Sequence, residues 1–526
     1  MASRRDELNA YTFARKRMVG AFLQPGGGGN DEDAPRPIRA VLPSFVIGAV
    51  IVAGFAMWGV IKPAAPPNWD NGKFIIQGKS STTRYVILPD SKTNQPTLHQ
   101  VLNMSSARLV LPEGATVQTV ADDVLDKYPR RGATIGIPYA PDKLPKADDA
   151  GNAKVWSVCD KMGKDNLQST VAQSVFIAAG QDIKTLALPE KLVGNGASLF
   201  VQEPPNAGDP GTMFLIDGNG KKHAVGRADT PADERTALVR ALFGPDAKPQ
   251  QVTAEWLRTL EYGEPVVFPR IDSLKTTGQS GTSQLELSQP AQRKVGRLLT
   301  FQGAYYAVGA QKLYQVTRFQ AELMRLDPRT QAAYGADNPE IADVGASDIS
   351  KLQTKTVKDL MDDAKDLPTQ PSPAVNLNGD KPGRTVICST FNGMDNGQIK
   401  RSVWASTEYP AEVTAGSVSA HVTPGHGLLY RAVDGDAVGA DGQAGSGSDF
   451  LITDAGLRYS LPANDDGAAG GASPAPNAQG GDNKNAAQAR LGYKNVNPPL
   501  VPAAWSKLVP AGPVLNTNTA LQAQNA

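Results

Sequence analysis

The strongest constraint on how this chain folds is a twelve-residue pattern that recurs along it. "FLIDGNGKKHAV", from Phe214 to Val225, aligns without gaps to "FLITDAGLRYSL", from Phe450 to Leu461. "YYAVGAQKLYQV", from Tyr305 to Val316, follows the same plan, and "YVILPDSKTNQPTLHQV", from Tyr85 to Val101, has a longer turn. Each copy reads as an apolar strand, a turn rich in Asp, Gly or Asn, and a second strand, which is the pattern of a β-hairpin. The second strand carries His99, His223, Tyr314 or Tyr459 two places before its last apolar residue. Downstream, Trp256 has Leu260 four residues on, then Gly263 and Pro265; Trp505 has Val509 four on, then Gly512 and Pro513. A helix carrying the tryptophan, docked on its hairpin, would bury the apolar face of each unit. The spacing therefore predicts four β-hairpin/helix repeat modules, with Trp256 and Trp505 in structural roles.

Segments of another character lie between the modules. "KVWSVCDK" and "RTVICSTFN" are strand-like, and each carries one of the two cysteines, Cys159 and Cys388. With "STVAQSVFIAAG", "ASLFVQ", "SVWAS" and "GSVSAHV" they predict a central β domain made from two stretches, 132–206 and 382–432. A Cys159–Cys388 bridge would staple the halves. No CxxC or Cys/His cluster exists, so no metal site is predicted. Lys and Arg total 53 against 52 for Asp and Glu, so no global charge points to nucleic acid.

Val41 to Ile61, "VLPSFVIGAVIVAGFAMWGVI", is a run of 21 residues without charge. As a helix it reaches the length of about 20 residues that spans a hydrocarbon core, and Pro43 falls in its first turn, where its missing donor matters least. The sequence thus predicts a single-pass transmembrane helix rather than a cleaved signal peptide. Arg4, Arg5, Arg15, Lys16, Arg17, Arg36 and Arg39 precede the span; Lys62, Lys73 and Lys79 follow it. That bias, thin close to the span itself, puts the N-terminus in the cytoplasm and the C-terminal body outside the cell membrane. Residues 3 to 24 predict an amphipathic helix with Leu8, Tyr11, Met18 and Phe22 near one face and Arg15, Lys16 and Arg17 around it.

The expected fold class is a single-pass membrane protein whose α+β extracytoplasmic region has four β-hairpin/helix repeat modules around a central disulfide-bonded β domain. The partition assigns 1–39 to the cytoplasmic helix and a Gly/Pro-rich tether and 40–62 to the transmembrane helix. Linker and module 1 occupy 63–131, the first central part 132–206, and module 2 207–272. Module 3 with a connecting helix, "KTVKDLMDDAKDLP", covers 273–381, and the second central part 382–432. Module 4 with a low-complexity insertion fills 433–516, and 517–526 reads as a disordered tail. "KTTGQSGTSQ", "DGDAVGADGQAGSGSD" and "NDDGAAGGASPAPNAQGGDNKNAAQ" read as mobile surface loops.

Catalytic chemistry finds little support. "NGKFIIQGKSST" ends in Gly-Lys-Ser, but Gly72 and Gly78 are separated by five residues instead of the four a phosphate loop needs. Strand-like "TTRYVILP" follows Ser80 where a helix is required. Gly72, Gly78, Lys79 and Ser80 remain a weak alternative nucleotide loop. His421 and His426 are five apart with Pro424 between them, which is wrong for a helical metal pair. No G-x-S-x-G elbow and no catalytic constellation is present, and no cofactor is implied.

With these residues laid out, the chain resembles the EccB family, a membrane component of the type VII (ESX) secretion systems of actinobacteria. The resemblance rests on the run from Tyr11 to Phe22, the apolar segment, the four repeats, and the "VWSVCD" and "VICST" strands. It implies a structural core subunit of a protein-secretion membrane complex that scaffolds assembly. It further implies partners EccC, EccD, EccE and the protease MycP, and a hexameric homo-oligomer in the full complex. It makes Tyr11, Phe13, Lys16, Arg17, Met18 and Phe22 an inner-partner helix, and Cys159–Cys388 the family's bridge. Two alternatives stay open: a peptidoglycan-binding anchor, since the repeats resemble a cell-wall-binding fold of a phage lysin, and an ATPase, a label family members have carried.

Overall fold

The computed structural model describes residues 4–23, 38–61, 65–90, 92–162, 172–194, 196–206, 208–271, 274, 280–350, 354–355, 366–377, 383–412, 420–434, 447–462 and 486–524. The chain divides into two units. One holds Met1–Asn71, Ile76–Thr82 and Val117–Pro129; the other holds Gly72–Ile75, Thr83–Thr116 and Arg130–Ala526. The connecting helix expected at "KTVKDLMDDAKDLP" lies almost wholly outside the described residues, as do most of the three low-complexity stretches. Ser280 and Ser283, inside "KTTGQSGTSQ", are pinned by hydrogen bonds to the Val295 and Gly309 carbonyls (2.6 and 2.7 Å).

In the first unit, Arg4–Leu23 is a helix with no buried residue, and Asp6 and Glu7 in its first turn complement the helix dipole. Phe13 points away from the Leu8–Tyr11–Phe22 side at 100° per residue, so its apolar residues form no single stripe. A second helix runs from Ile38 to Ile61. The expectation that it spans a membrane is corrected: among the described residues, no helix is long and apolar enough to cross one. The single-pass fold class and the localisation that depended on it are withdrawn with that span.

The second unit is organised around a five-stranded sheet ordered Gln398–Ser406, Val386–Asp395, Val155–Lys161, Ala172–Ala178 and His421–Val422. Its first four strands are antiparallel, and the short last strand joins in parallel. Side chains alternate between its faces, as strand geometry demands. Trp156, Val158, Ile387, Phe391 and Val403 enter one buried cluster. Cys159, Phe176, Val386, Cys388 and Trp404 enter another. Both faces are covered, which is why every residue from Trp156 to Asp160 is buried, Ser157 and Asp160 included.

The modules share one wiring. In module 2, Leu199–Gln202, Met213–Ile216 and Lys221–Ala224 form an antiparallel trio. Gln250–Gln251 and Glu261–Tyr262 add parallel strands at its two edges, joined by the five-residue helix Ala254–Arg258. Module 3 repeats this with Leu298–Phe301, Ala304–Val308 and Leu313–Val316, edged by Ile341–Asp343 and Thr354–Lys355. Module 4 uses Leu428–Val433, Ser448–Ile452 and Arg458–Leu461, with Leu500–Pro502 in parallel and then the helix Ala503–Ser506. Leu199–Gln202 and Leu428–Val433 thus pair with their module hairpins, although the sequence grouped both with the central segments. Short apolar runs carry no periodicity that says which sheet they join.

The aromatic residue that marks each hairpin lies on a glycine. A Cβ at Gly263 would stand 2.4 Å from the His223 ring, one at Gly132 2.1 Å from His99, and one at Gly512 2.5 Å from Tyr459. His223 and His99 also place Nδ1 at 2.8 and 2.9 Å from the carbonyls of Glu264 and Ala133. Tyr314 departs from the pattern and lies against Gly309. Gly263→Ala is expected to displace the imidazole and destabilise the protein by about 1–3 kcal/mol, the usual range for overpacking. Gly281→Ala, where a Cβ would meet nothing within 4 Å, should leave the denaturation midpoint unchanged.

The C-terminal segment is not a frayed tail. Asn516 caps the helix Thr517–Ala520, and Thr517 and Ala520 are buried. The Thr517 hydroxyl donates to the Leu109 carbonyl at 3.1 Å. Gln524 donates from its backbone to Thr134 and from its side chain to Gly136, each at 2.8 Å. Small and polar residues here gave no sequence signal of burial.

Candidate functional site

The glycine stretch of the first unit is closed by its own carboxylate. Ser80 N–H donates to Asp122 Oδ2 at 2.7 Å and Ser81 N–H to Oδ1 at 3.3 Å. The Ser81 hydroxyl also donates to Asp122, and Lys79 N–H is taken by the Val120 carbonyl at 2.9 Å. The Ser81 hydroxyl, followed by the Ser80 N–H, holds the Asp122 carboxyl below its ordinary range. The backbone donors that a phosphate would need therefore face a negative charge, and the next element, Arg84–Pro89, is a strand. Gly72 takes a left-handed φ of 75°; Gly78, Lys79 and Ser80 sit in or beside the closed turn. Nothing in this arrangement can cradle a phosphate.

His426 comes closest to a catalytic arrangement. Its Nδ1 lies 2.7 Å from Asp149 Oδ1, and the same carboxylate accepts from Lys154 Nζ at 2.8 Å and Gly427 N–H at 2.9 Å. Burial pushes the Asp149 carboxyl up, but the Lys154, His426 and Gly427 donors outweigh it, and the net shift is downward. Among the described residues no nucleophilic side chain is hydrogen-bonded to His426, so the cluster ties Ala147–Ala150 to the start of module 4. His421 lies over Phe176. No group of three or more metal-ligating side chains occurs among the described residues. A cleft of about 760 Å³ lined by Tyr305, Gln315, Arg318 and Thr369 holds no acid–base pair.

What the structure does concentrate is a joint. Cys159 and Cys388 are opposite each other in register and disulfide-bonded, both fully buried. The next residue, Asp160, sends its carboxylate into module 2. There Oδ2 accepts the Thr253 N–H at 2.7 Å and the Thr253 hydroxyl at 2.9 Å, while Oδ1 accepts Gln173 Nε2 at 3.2 Å. Thr253 in turn caps the helix that carries Trp256. Trp256, Leu257 and Leu260 of module 2 and Tyr430, Trp505 and Val509 of module 4 share one buried cluster with the central sheet. The tryptophans thus plug modules onto the central sheet as well as their own hairpins. The sequence reading passed over Asp160, Thr253 and Asp122; an acid inside the apolar "VWSVCD" was the available cue for the first.

Asp160 has hydrogen-bond donors but no ion-pair partner among its contacts, and burial raises its pKa from 3.8 to about 6. The folded protein therefore favours the neutral acid. Its stabilising contribution is complete below pH 4 and lost as pH rises through 6, about 3 kcal/mol for a shift of this size. Asp160→Asn should flatten the dependence of the denaturation midpoint on pH between 4 and 7; an unchanged slope would exclude Asp160 as its source.

The expected partner helix has every one of its named residues in solvent: Tyr11, Phe13, Met18 and Phe22 are 73%, 52%, 71% and 90% exposed, and Lys16 and Arg17 are exposed too.

Comparison with known proteins follows the same lines. Residues 1–526 match the family described as type VII secretion system ESX-1, transport TM domain B. The chain is 26% identical over 510 residues to the ESX-3 secretion system ATPase EccB3 of Mycobacterium tuberculosis, covering 93% of this chain and 84% of that protein. EccB3 of Mycolicibacterium smegmatis is 25% identical over 508 residues, with the same coverage of 93% and 84%. Among solved structures, a chain of an intact ESX-5 inner membrane complex is similar with a TM-score of 0.56 at 18% identity, over 100% of this chain and 96% of that one. A chain of the EccB3 dimer from the ESX-3 core complex gives 0.55 at 21% identity, over 86% of this chain and 100% of that one. A hairpin-module body on a disulfide-joined sheet, matched along its whole length, places the chain in the EccB family of type VII secretion systems.

Proposed function

We propose that this chain is a structural subunit of the membrane complex of a type VII secretion system, with its modular body serving as an assembly scaffold. The observation that carries the reading is the shared cluster of Trp156, Trp256, Trp505 and Phe391, which locks modules to the central sheet in a chain of this family. Such a body presents fixed surfaces; among the described residues no nucleophilic side chain is hydrogen-bonded to a histidine base. Nucleotide hydrolysis, the activity in the relatives' names, forms no part of this reading, because Asp122 already occupies the donors of the glycine turn.

By the family resemblance, the partners are EccC, EccD, EccE and MycP in a hexameric assembly. The exposed Tyr11, Phe13, Met18 and Phe22, with Lys16 and Arg17 among them, would meet one of these partners. The similarly folded EccB3 was solved as a dimer, and self-association is proposed for this chain as well. Detergent extraction of native membranes followed by affinity capture of the chain tests the scaffold reading. Recovery in one large assembly is expected, and recovery as a lone monomer would overturn it.

A further inference from the structure

We infer that the recess between the central sheet and module 4 binds the C-terminus of another protein, an extended segment with an apolar last residue and a free carboxylate. The recess has a volume of about 430 Å³ and is lined by Lys154, Phe391, Met394, Leu428, Leu500 and Val501, among others. That lies toward the low end of the roughly 300–1,000 Å³ of ligand pockets, which admits a chain end rather than a folded element.

One wall is shaped by an irregularity in the central hairpin. Val386–Asp395 and Gln398–Ser406 slip out of step between Phe391 and Met394. Gly393, at the slip, has a positive φ of 108°, and a Cβ built on it would meet nothing within 4 Å. Such bulges end regular pairing and re-aim side chains beside functional sites. Asn392 Nδ2 donates to the Ser402 hydroxyl at 2.8 Å, so the bulge is pinned from within.

The opposite wall is a strand edge with unused hydrogen bonds. Leu500–Pro502 pairs in parallel with Leu428–Val433, and the Arg431 N–H donates to the Pro499 carbonyl at 3.0 Å. Alternation along the strand then turns the Leu500 N–H and carbonyl to its outer edge. No backbone partner meets them there among the described residues. An extended chain laid along this edge gains one donor and one acceptor pairing, as in recognition by strand addition. A fatty acid could supply an apolar chain and a carboxylate but no peptide N–H, so the edge favours a peptide.

The third feature is a buried cation. Lys154 is 6% exposed, and its Nζ donates to the Asp149 carbonyl and carboxylate at 2.9 and 2.8 Å. That leaves one of its three N–H donors without an acceptor among the described residues. Asp149 also serves Gly427 and His426, so the ammonium has no carboxylate to itself. A buried charge with a donor to spare is costly until an anion meets it, and a terminal carboxylate does so through a charge-assisted hydrogen bond. Phe391, Leu428 and Val501, all buried, supply the apolar surround for the last side chain.

The test is fluorescence anisotropy of the full chain, in a neutral detergent, with a labelled hexapeptide ending in valine and leucine. The free acid is compared with its C-terminal amide and with the acid N-methylated at the valine; octanoate and the unlabelled acid are competitors. We expect the free acid to bind, and the amide and the N-methylated acid to bind about tenfold more weakly or worse. Octanoate should compete far less well than the unlabelled acid. Lys154→Met should reduce the affinity for the acid to that for the amide and leave the amide unchanged. Equal binding of acid and amide to the parent would overturn the inference, and so would no binding of the acid at millimolar concentration. Equal binding of the N-methylated acid, or competition by octanoate as strong as by the peptide, would make the recess a site for small amphiphiles and overturn it as well. If Lys154→Met melts far below the parent, the comparison of acid with amide on the parent decides alone.

Discussion

Cys159→Ala combined with Cys388→Ala is expected to lower unfolding stability by several kcal/mol, with a ceiling of about 5 kcal/mol for a loop of this length in the chain-entropy account. The bridge joins residues 229 apart in sequence, and everything from module 2 through module 3 lies inside the loop it closes. The two strands it links are already hydrogen-bonded neighbours, so the reduced protein keeps the same sheet register. The effect should appear as a lower denaturant midpoint without a change of fold by circular dichroism. Both sulfurs lie in residues with no exposed surface. A thiol reductant should therefore leave the native protein intact and act only when denaturant opens it. An unchanged midpoint in the double variant would mean that the sheet, and not the covalent link, holds the two halves.

Trp505→Ala should cost about 3–5 kcal/mol, the range for deleting a large buried aromatic. Its ring meets Phe391 at 5.6 Å between centroids, and Arg401 lies over it at 5.7 Å. Because Phe391 belongs to the central sheet and Trp505 to module 4, the two truncations should be strongly non-additive in a double-mutant cycle. Independent losses at the two sites would mean that module 4 is stabilised by its own hairpin alone. Trp256→Ala should behave similarly at module 2, where the indole is fully buried.

Much of this architecture could be read in the sequence because it is local. A hairpin announces itself by alternation and by its turn: Asp217 Oδ1 accepts the N–H groups of Asn219 and Lys221 at 3.0 and 2.8 Å, and Gly220 supplies the left-handed residue. The two-residue parallel edges Gln250–Gln251 and Glu261–Tyr262 were illegible, because their pairing is decided by partners some 40 to 50 residues away. The aligned His and Tyr positions were visible, but their purpose was not until the glycines beneath them came into view. The apolar segment was the opposite case: a strong compositional signal whose structural counterpart did not carry the crossing drawn from it. The glycine turn was judged by its spacing and by the strand that follows it, and the physical reason for its silence lies in Asp122, more than forty residues further on.

The docking of the final helix onto module 1 has a consequence for biosynthesis. The Gln524 side chain meets the Gly136 carbonyl 388 positions earlier, so an early part of the body must wait for residues made much later. Contacts that distant in sequence are slow to form. Until residues 517–524 arrive, the faces around Leu109 and Gly136 stay uncovered, and a nascent chain stalled short of residue 517 would be a target for chaperones or proteases.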